Sequence, residues 1–210
     1  MTSPIRPTEE SARQLARDLI GQARFGAIAT LDPVTKAPMV TRIAVGLTPT
    51  GLHILISDLS LHTQAIKADP ACSLLIGEPG PKGDPLTHPR LTLQCRAILT
   101  PKTGQRDAWL QTHPKAALYV DFTDFDFYRL DVGQGFLNGG FGKAFHLTPQ
   151  DMALTSARLN PYPTPEFYQF PVSAVAAHVM VGLMSAHVCD PYPPRAVNRC
   201  FIRCCHGDVC

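Results

Sequence analysis

This chain of 210 residues is poor in charge: Asp, Glu, Lys and Arg make up 17% of it, against about a quarter in an ordinary globular protein. The formal net charge of +2 creates no field that would draw nucleic acid or an acidic membrane surface. The opening stretch, "MTSPIRPTEESARQLARDL", scatters its charges and has no apolar h-region, so no secretory leader is expected and the expected location is cytoplasmic. No clean apolar run reaches the ~20 residues of a membrane span. The nearest, "VSAVAAHVMVGLMSAHV", carries two internal histidines, and no span is expected there. No nucleophile–base pair and no metal triad stands out. The terminal "CFIRCCHGDVC" lacks the paired C-x₂-C spacing that orients four ligands, so no metal site is expected.

Apolar material is plentiful at 45%, enough for the core of one domain, or of one domain plus an appendage. Thr8 is placed to cap a helix whose apolar positions, Ala12, Leu15, Ala16, Leu19, Ile20 and Ala23, share one face, with Gly26 stopping it. Short apolar runs then follow at close spacing: "GAIATLD", "MVTRIAVGL", "LHILIS", "CSLLIG" and "RLTLQCRAIL" read as strands. A helix is expected through "RDAWLQTH", then two further strands, "DFYRLDV" and "GFLNG", with the pattern closing near Leu147. Hairpin turns between the runs exclude a parallel βαβ sheet. The expected class is mainly β with flanking helices (α+β), an antiparallel sheet for which a small barrel fits better than a sandwich. Cys72 and Cys95 fall inside strand-like runs, as small buried thiols do. Arg90 and Arg96 lie six apart on one strand and share a face.

From about Met152 the text changes. No lysine follows Lys143, prolines cluster in "NPYPTPEFYQFP" and "DPYPPR", and five of the seven cysteines crowd the end. The expected organisation is a barrel domain over residues 8–151 and an atypical Pro- and Cys-rich tail over residues 152–210. That tail reads either as poorly ordered or as translation out of the original frame.

The functional signal lies at "SDLSLHT", residues 57–63, where a strand hands over to a helix. Such a junction directs unpaired backbone N–H groups and a partial positive charge outward, which suits an anion. Ser57, Ser60, His62 and Thr63 gather there. The serines also fit the blander role of helix caps.

Three strings in order, S-D-L-x-x-H-T at Ser57–Thr63, A-D-P-x-x-S-L-L at Ala68–Leu75 and G-G-F-G at Gly139–Gly142, carry a resemblance. Over about residues 10–150 the chain resembles the pyridoxamine 5′-phosphate oxidase-related, FMN-binding split-barrel family, in particular its haem-utilisation (HugZ-type) branch. The resemblance implies an antiparallel split barrel, PNPOx-like, working as a homodimer with FMN in the cleft between subunits. It implies Arg42, Ser57, His62 and Thr63 at the flavin phosphate, the backbone of Ile43, Ala44 and Val45 running beside the ring, and Ile56 supplied to the site by the third strand. Leu91 takes a position that is usually glutamine near the flavin in those enzymes. Gly139, Gly140 and Gly142 would either permit a tight bend or let backbone approach the partner's flavin. The departures also matter. The only tryptophan is Trp109, and no C-terminal R-L-H-x-R-like segment exists, so vitamin B6 oxidation is not expected. Nothing after Met152 matches the C-terminal region of the haem branch, and His178, His187 and His206 sit in no recognisable ligand context. Two function classes remain: an FMN-dependent oxidoreductase with a small-molecule substrate or electron donor, its catalytic residues unassigned; and a flavin-binding or haem-binding protein, the latter with haem breakdown.

Overall fold

The computed structural model describes residues 5–154. The tail from residue 155 onward, with its cysteines, its histidines and its longest apolar run, lies outside the described residues. The strands are β1 (Ile5–Arg6), β2 (Phe25–Leu31), β3 (Pro38–Thr48), β4 (Gly51–Ser57), β5 (Ala71–Ile76), β6 (Arg90–Thr100), β7 (Phe125–Asn138) and β8 (Ala144–Leu147). The helices are α1 (Glu10–Gln22), α2 (Leu61–Ala68) and α3 (Arg106–Thr112), and a 3₁₀ segment spans Pro114–Leu118.

Alternation makes the barrel. In β2 the inward residues are Gly26, Ile28 and Thr30, and in β6 they are Leu91, Leu93, Cys95 and Ala97, each separated by a less buried neighbour. Six strands run in the order β7–β4–β3–β2–β5–β6, and β6 pairs back onto β7, closing an antiparallel ring. The outer half of β7 stays paired with β6 and takes β8 on its other edge, and β1 adds to β8 in parallel. No helix among the described residues is long and apolar enough to cross a membrane.

Strand β7 corrects one expectation. The two runs "DFYRLDV" and "GFLNG" form a single strand of 14 residues. Its pairing with β6 shifts register beside Cys95, where Gln94 faces Gln134 but Cys95 faces Val132. The skipped residue is Gly133. Such a bulge breaks the period-two pattern locally while the ladder continues, which makes one strand read as two. Strands β1 and β8 are too short to carry a periodicity of their own. The start of α1 is a second correction: Glu9 occupies the N-cap position, and the Thr8 hydroxyl instead donates to the His146 carbonyl at 2.7 Å.

Inside the ring, Ile28, Val45, Ile54, Leu74, Leu91 and Leu93 are wholly buried. Cys72 and Cys95 face each other across β5 and β6. Burial pushes the Cys72 thiol up to about 12 and Cys95 upward as well, so neither is a ready thiolate. Helix α1 lays Ala12, Ala16 and Ile20 against this core.

A second, smaller core lies on the other side of the sheet. There Trp109 packs with Leu55, Ala116, Val120 and Phe127. Beside it, Thr48 and Thr50 both donate to Gln105 Oε1, at 3.0 and 2.8 Å, which ties the start of α3 to the β3–β4 turn.

The described chain ends on a clamp. Asp151 accepts from Arg13 Nε at 2.7 Å, and from the Thr148 backbone N–H and hydroxyl at 2.9 and 2.8 Å. The hydrogen bond from Arg13 and those from Thr148 hold its carboxyl down at about 2. A carboxylate whose folded pKa is depressed stabilises the fold above its ordinary pKa and loses that contribution as pH falls through the folded value. Asp151→Asn is therefore expected to lower the melting temperature at neutral pH, with the gap closing as pH approaches about 2. Melting curves of both proteins across that range test it, and a gap independent of pH would remove the charge from the account.

Candidate functional site

The strand–helix junction is built by β4 running into α2. Ser57 ends β4, and its hydroxyl donates to Asp124 Oδ2 at 2.6 Å while accepting the Leu59 N–H at 3.1 Å. Thr63 is wholly buried, and its hydroxyl donates back to the Ser57 carbonyl at 2.7 Å. Ser60 sits at the N-cap position of α2 without a side-chain capping bond. His62 is 9% exposed, and its Nδ1 lies 3.0 Å from Thr41 Oγ1. Burial holds its pKa below the usual imidazole value, which favours the neutral ring.

The local charge is acidic. Asp58 pairs with Lys67 at 2.6 Å, Asp124 accepts the Ser57 hydroxyl, and Asp126 lies opposite Ile56 on β7.

Arg42 stands apart from these donors. Its side chain is 76% exposed and lies 3.8 Å from Glu78, with the guanidinium 5.4 Å above the Phe25 ring. Two residues beyond the last paired positions of β3 and β4, Ala44 and Leu55, alternation puts Arg42 and Ser57 on the same outer face. Ile43, Val45, Ile56 and Leu91 belong to the barrel interior instead, so their side chains point away from that face. In the backbone of this stretch Ile43 ladders to β2, Ala44 to both β2 and β4, and Val45 to β4. Gly139, Gly140 and Gly142 lie in the β7–β8 connection, the last two at positive φ. Among the described residues no group of three His, Cys, Asp or Glu side chains is arranged to hold a metal ion.

Residues that sequence reading missed line the outer wall. Across β5, β6, β7 and β8, Leu75, Thr92, Phe136 and His146 fall in one row. Leu75 and Phe136 are 42% and 38% exposed, and His146 stacks on Phe136 with ring centroids 4.7 Å apart. Alternation along "GQGFLN" puts Gln134 and Phe136 on one face, but only the β7–β8 register brings His146 to them.

Comparison with known proteins follows the same lines. A family model described as CREG, beta-barrel, matches residues 7–153. The chain is 41% identical over 139 residues to the chloroplastic haem oxygenase HOZ of Arabidopsis thaliana; that match takes in 60% of this chain and 41% of the plant protein, so the chain spans well under half of its length. It is 28% identical to a haem binding protein from Mycobacterium smegmatis, with a TM-score of 0.63, 71% of this chain and 61% of the other covered. A protein of the pyridoxinephosphate oxidase family from Clostridium acetobutylicum shares 9% identity at a TM-score of 0.53, over 69% of this chain and 99% of the other. That last likeness is one of fold alone.

Proposed function

The chain belongs to the CREG β-barrel family, with the split-barrel fold of the pyridoxamine-phosphate-oxidase-related proteins, and on that footing we propose that it binds haem for oxidative breakdown, as a homodimer. The observation that carries this reading is the donor inventory at the β4–α2 junction. The Ser57 and Thr63 hydroxyl protons are already committed within the chain, and carboxylates crowd the turn. A phosphate dianion seated there would have to displace Asp124 from Ser57 or sit against its like charge.

Haem makes a different demand. It needs a broad apolar support for the ring, a cation for its carboxylates and a ligand for its iron. The outer wall offers exposed Phe25, Val40, Leu75 and Phe136, and Arg42 offers a guanidinium suited to carboxylates. Bound haem would supply the oxygen and electron-transfer chemistry, while the protein binds, orients and shields it. A single convex wall cannot enclose a flat ring, so a second copy closing over it belongs to the same proposal. The names of the plant and mycobacterial relatives point the same way. FMN in the same cleft is the second reading, supported by Arg42 and Ser57 sharing the outer face.

Parallel titrations distinguish the two. Purified protein is expected to develop a saturable Soret band with haemin, to lose it with oxygen and a reductant, and to leave FMN fluorescence unquenched. Quenching of FMN at equimolar protein, with no haemin spectrum, would reverse the assignment. Light scattering of the haemin-loaded protein is expected to give the mass of a dimer.

A further inference from the structure

The connection from β5 to β6 folds around one imidazole. His88 Nδ1 receives the Gly80 N–H at 3.2 Å, and His88 Nε2 lies 2.9 Å from the Lys82 carbonyl. A backbone N–H can only donate and a carbonyl can only accept, so Nδ1 is bare and Nε2 carries the proton. These are the only hydrogen bonds that residues 79–83 make with described residues. Pro79 and Pro81 have no N–H to offer. The ring also fills the bend. A Cβ added to Gly80 would stand 3.0 Å from His88 Cε1, and one on Gly83, at a φ of +88°, would stand 3.8 Å from Nε2.

The second half of the connection is held without that ring. Asp84 Oδ1 accepts the Leu86 N–H at 2.9 Å, and the Thr87 hydroxyl donates to the Asp84 carbonyl at 2.7 Å. Arg90 Nη1 donates to the Leu86 carbonyl at 2.9 Å. Alternation puts Arg90 on the outer face with Thr92, and Glu78, at the other end of the connection, lies 3.8 Å from Arg42. The connection thus reaches two guanidiniums of the outer wall. Other charged groups around it are Lys82 and Asp84 on the connection itself, Lys143 in the β7–β8 connection, whose Gly140 comes against the Thr87 carbonyl, and Arg6 beside Gly142. The ring's own two bonds are both to backbone.

We propose that this connection is a pH-sensitive strap at the rim of the outer wall, latched by the neutral ring of His88 and released when that ring takes a second proton. The added proton lands on Nδ1, where it meets the Gly80 N–H donor to donor. That bond breaks, and residues 79–83 keep a single tie, at Lys82. The strap is therefore closed at alkaline pH and opens as pH falls through the range in which imidazoles charge, from about 8 to about 5. It does not depend on which ligand the wall takes.

Isotope-labelled full-length protein is followed by NMR across that range. The Gly80 amide proton is expected to move upfield as it loses its acceptor, in step with the His88 ring resonances. His88→Gln keeps one donor and one acceptor in place and has nothing to titrate, so its Gly80 amide is expected to stay where it is. Trypsin reads the same event through cleavage after Lys82. The wild-type rate divided by the His88→Gln rate at each pH cancels the protease's own pH dependence, and this ratio is expected to rise about fivefold on acidification, the worth of one hydrogen bond. A Gly80 amide that stays still while the His88 ring titrates would overturn the latch, as would a ring that does not titrate across the range or a cleavage ratio that is constant with pH. Circular dichroism shows whether His88→Gln keeps the barrel, and the wild-type NMR titration decides the matter without the variant.

Discussion

Trp109→Ala is expected to cost about 3–5 kcal/mol of folding stability, lowering the melting temperature by roughly 10 °C for a domain of this size. Trp109 is wholly buried at the centre of the smaller core. Its ring stacks on His113 at 4.1 Å and meets the edge of Phe127 at 5.3 Å. The indole N–H has no acceptor among the described residues, so the loss is one of packing and apolar burial rather than of a hydrogen bond. The cavity would open among Leu55, Ala116, Val120 and Phe127. Since this is the only tryptophan, unfolding has to be followed by circular dichroism. Trp109→Phe keeps an aromatic ring in place and is expected to lose distinctly less. Equal stability of the alanine variant and the wild type would mean that α3 is not packed as described.

Gly77→Ala is expected to cost about 3 kcal/mol or more, because two separate penalties coincide. Gly77 follows β5 at a φ of +100°, and an added Cβ would stand 2.5 Å from the Pro89 carbonyl oxygen and 2.8 Å from Arg90 Cα. Both obstacles are backbone, at the start of a strand laddered on two sides, and neither can swing aside. Gly104 supplies the control. Its φ is +89°, yet an added Cβ would meet nothing within 4 Å, so Gly104→Ala carries only the conformational penalty, about 1 kcal/mol. Urea midpoints of the two variants give the steric part by difference. Two equal losses would show that the β5–β6 approach is looser than drawn.

The strands that line the barrel were legible for two reasons: β2 and β6 bury one face and alternate, while β4 is a continuous apolar run buried on both faces between turn residues. β7 escaped as a unit because the bulge at Gly133 interrupts that rhythm, and β8 because four residues after a glycine-rich turn carry no period. The junction after β4 was legible as a collection of residue types. Its chemistry was not, because the partner of Ser57 is Asp124, 67 positions away, and the partner of His62 is Thr41 on another strand. Whether a hydroxyl is free to grip a ligand depends on which acceptor the fold delivers to it, and no local pattern encodes that. His146 is the converse case. It sits in an unremarkable stretch, and only the hairpin register sets it beside Phe136 and Gln134.

Closing the ring of strands also decides how copies of this chain can meet. A closed ring leaves little backbone unpaired: among the described residues the outer half of β3, residues 38–43, ladders to β2 and not to β4. Strand-by-strand accretion of further molecules is blunted wherever the ladder is already filled. A pairing between copies made side chain against side chain, across the flanks of the barrels, lets composition rather than backbone geometry choose the partner.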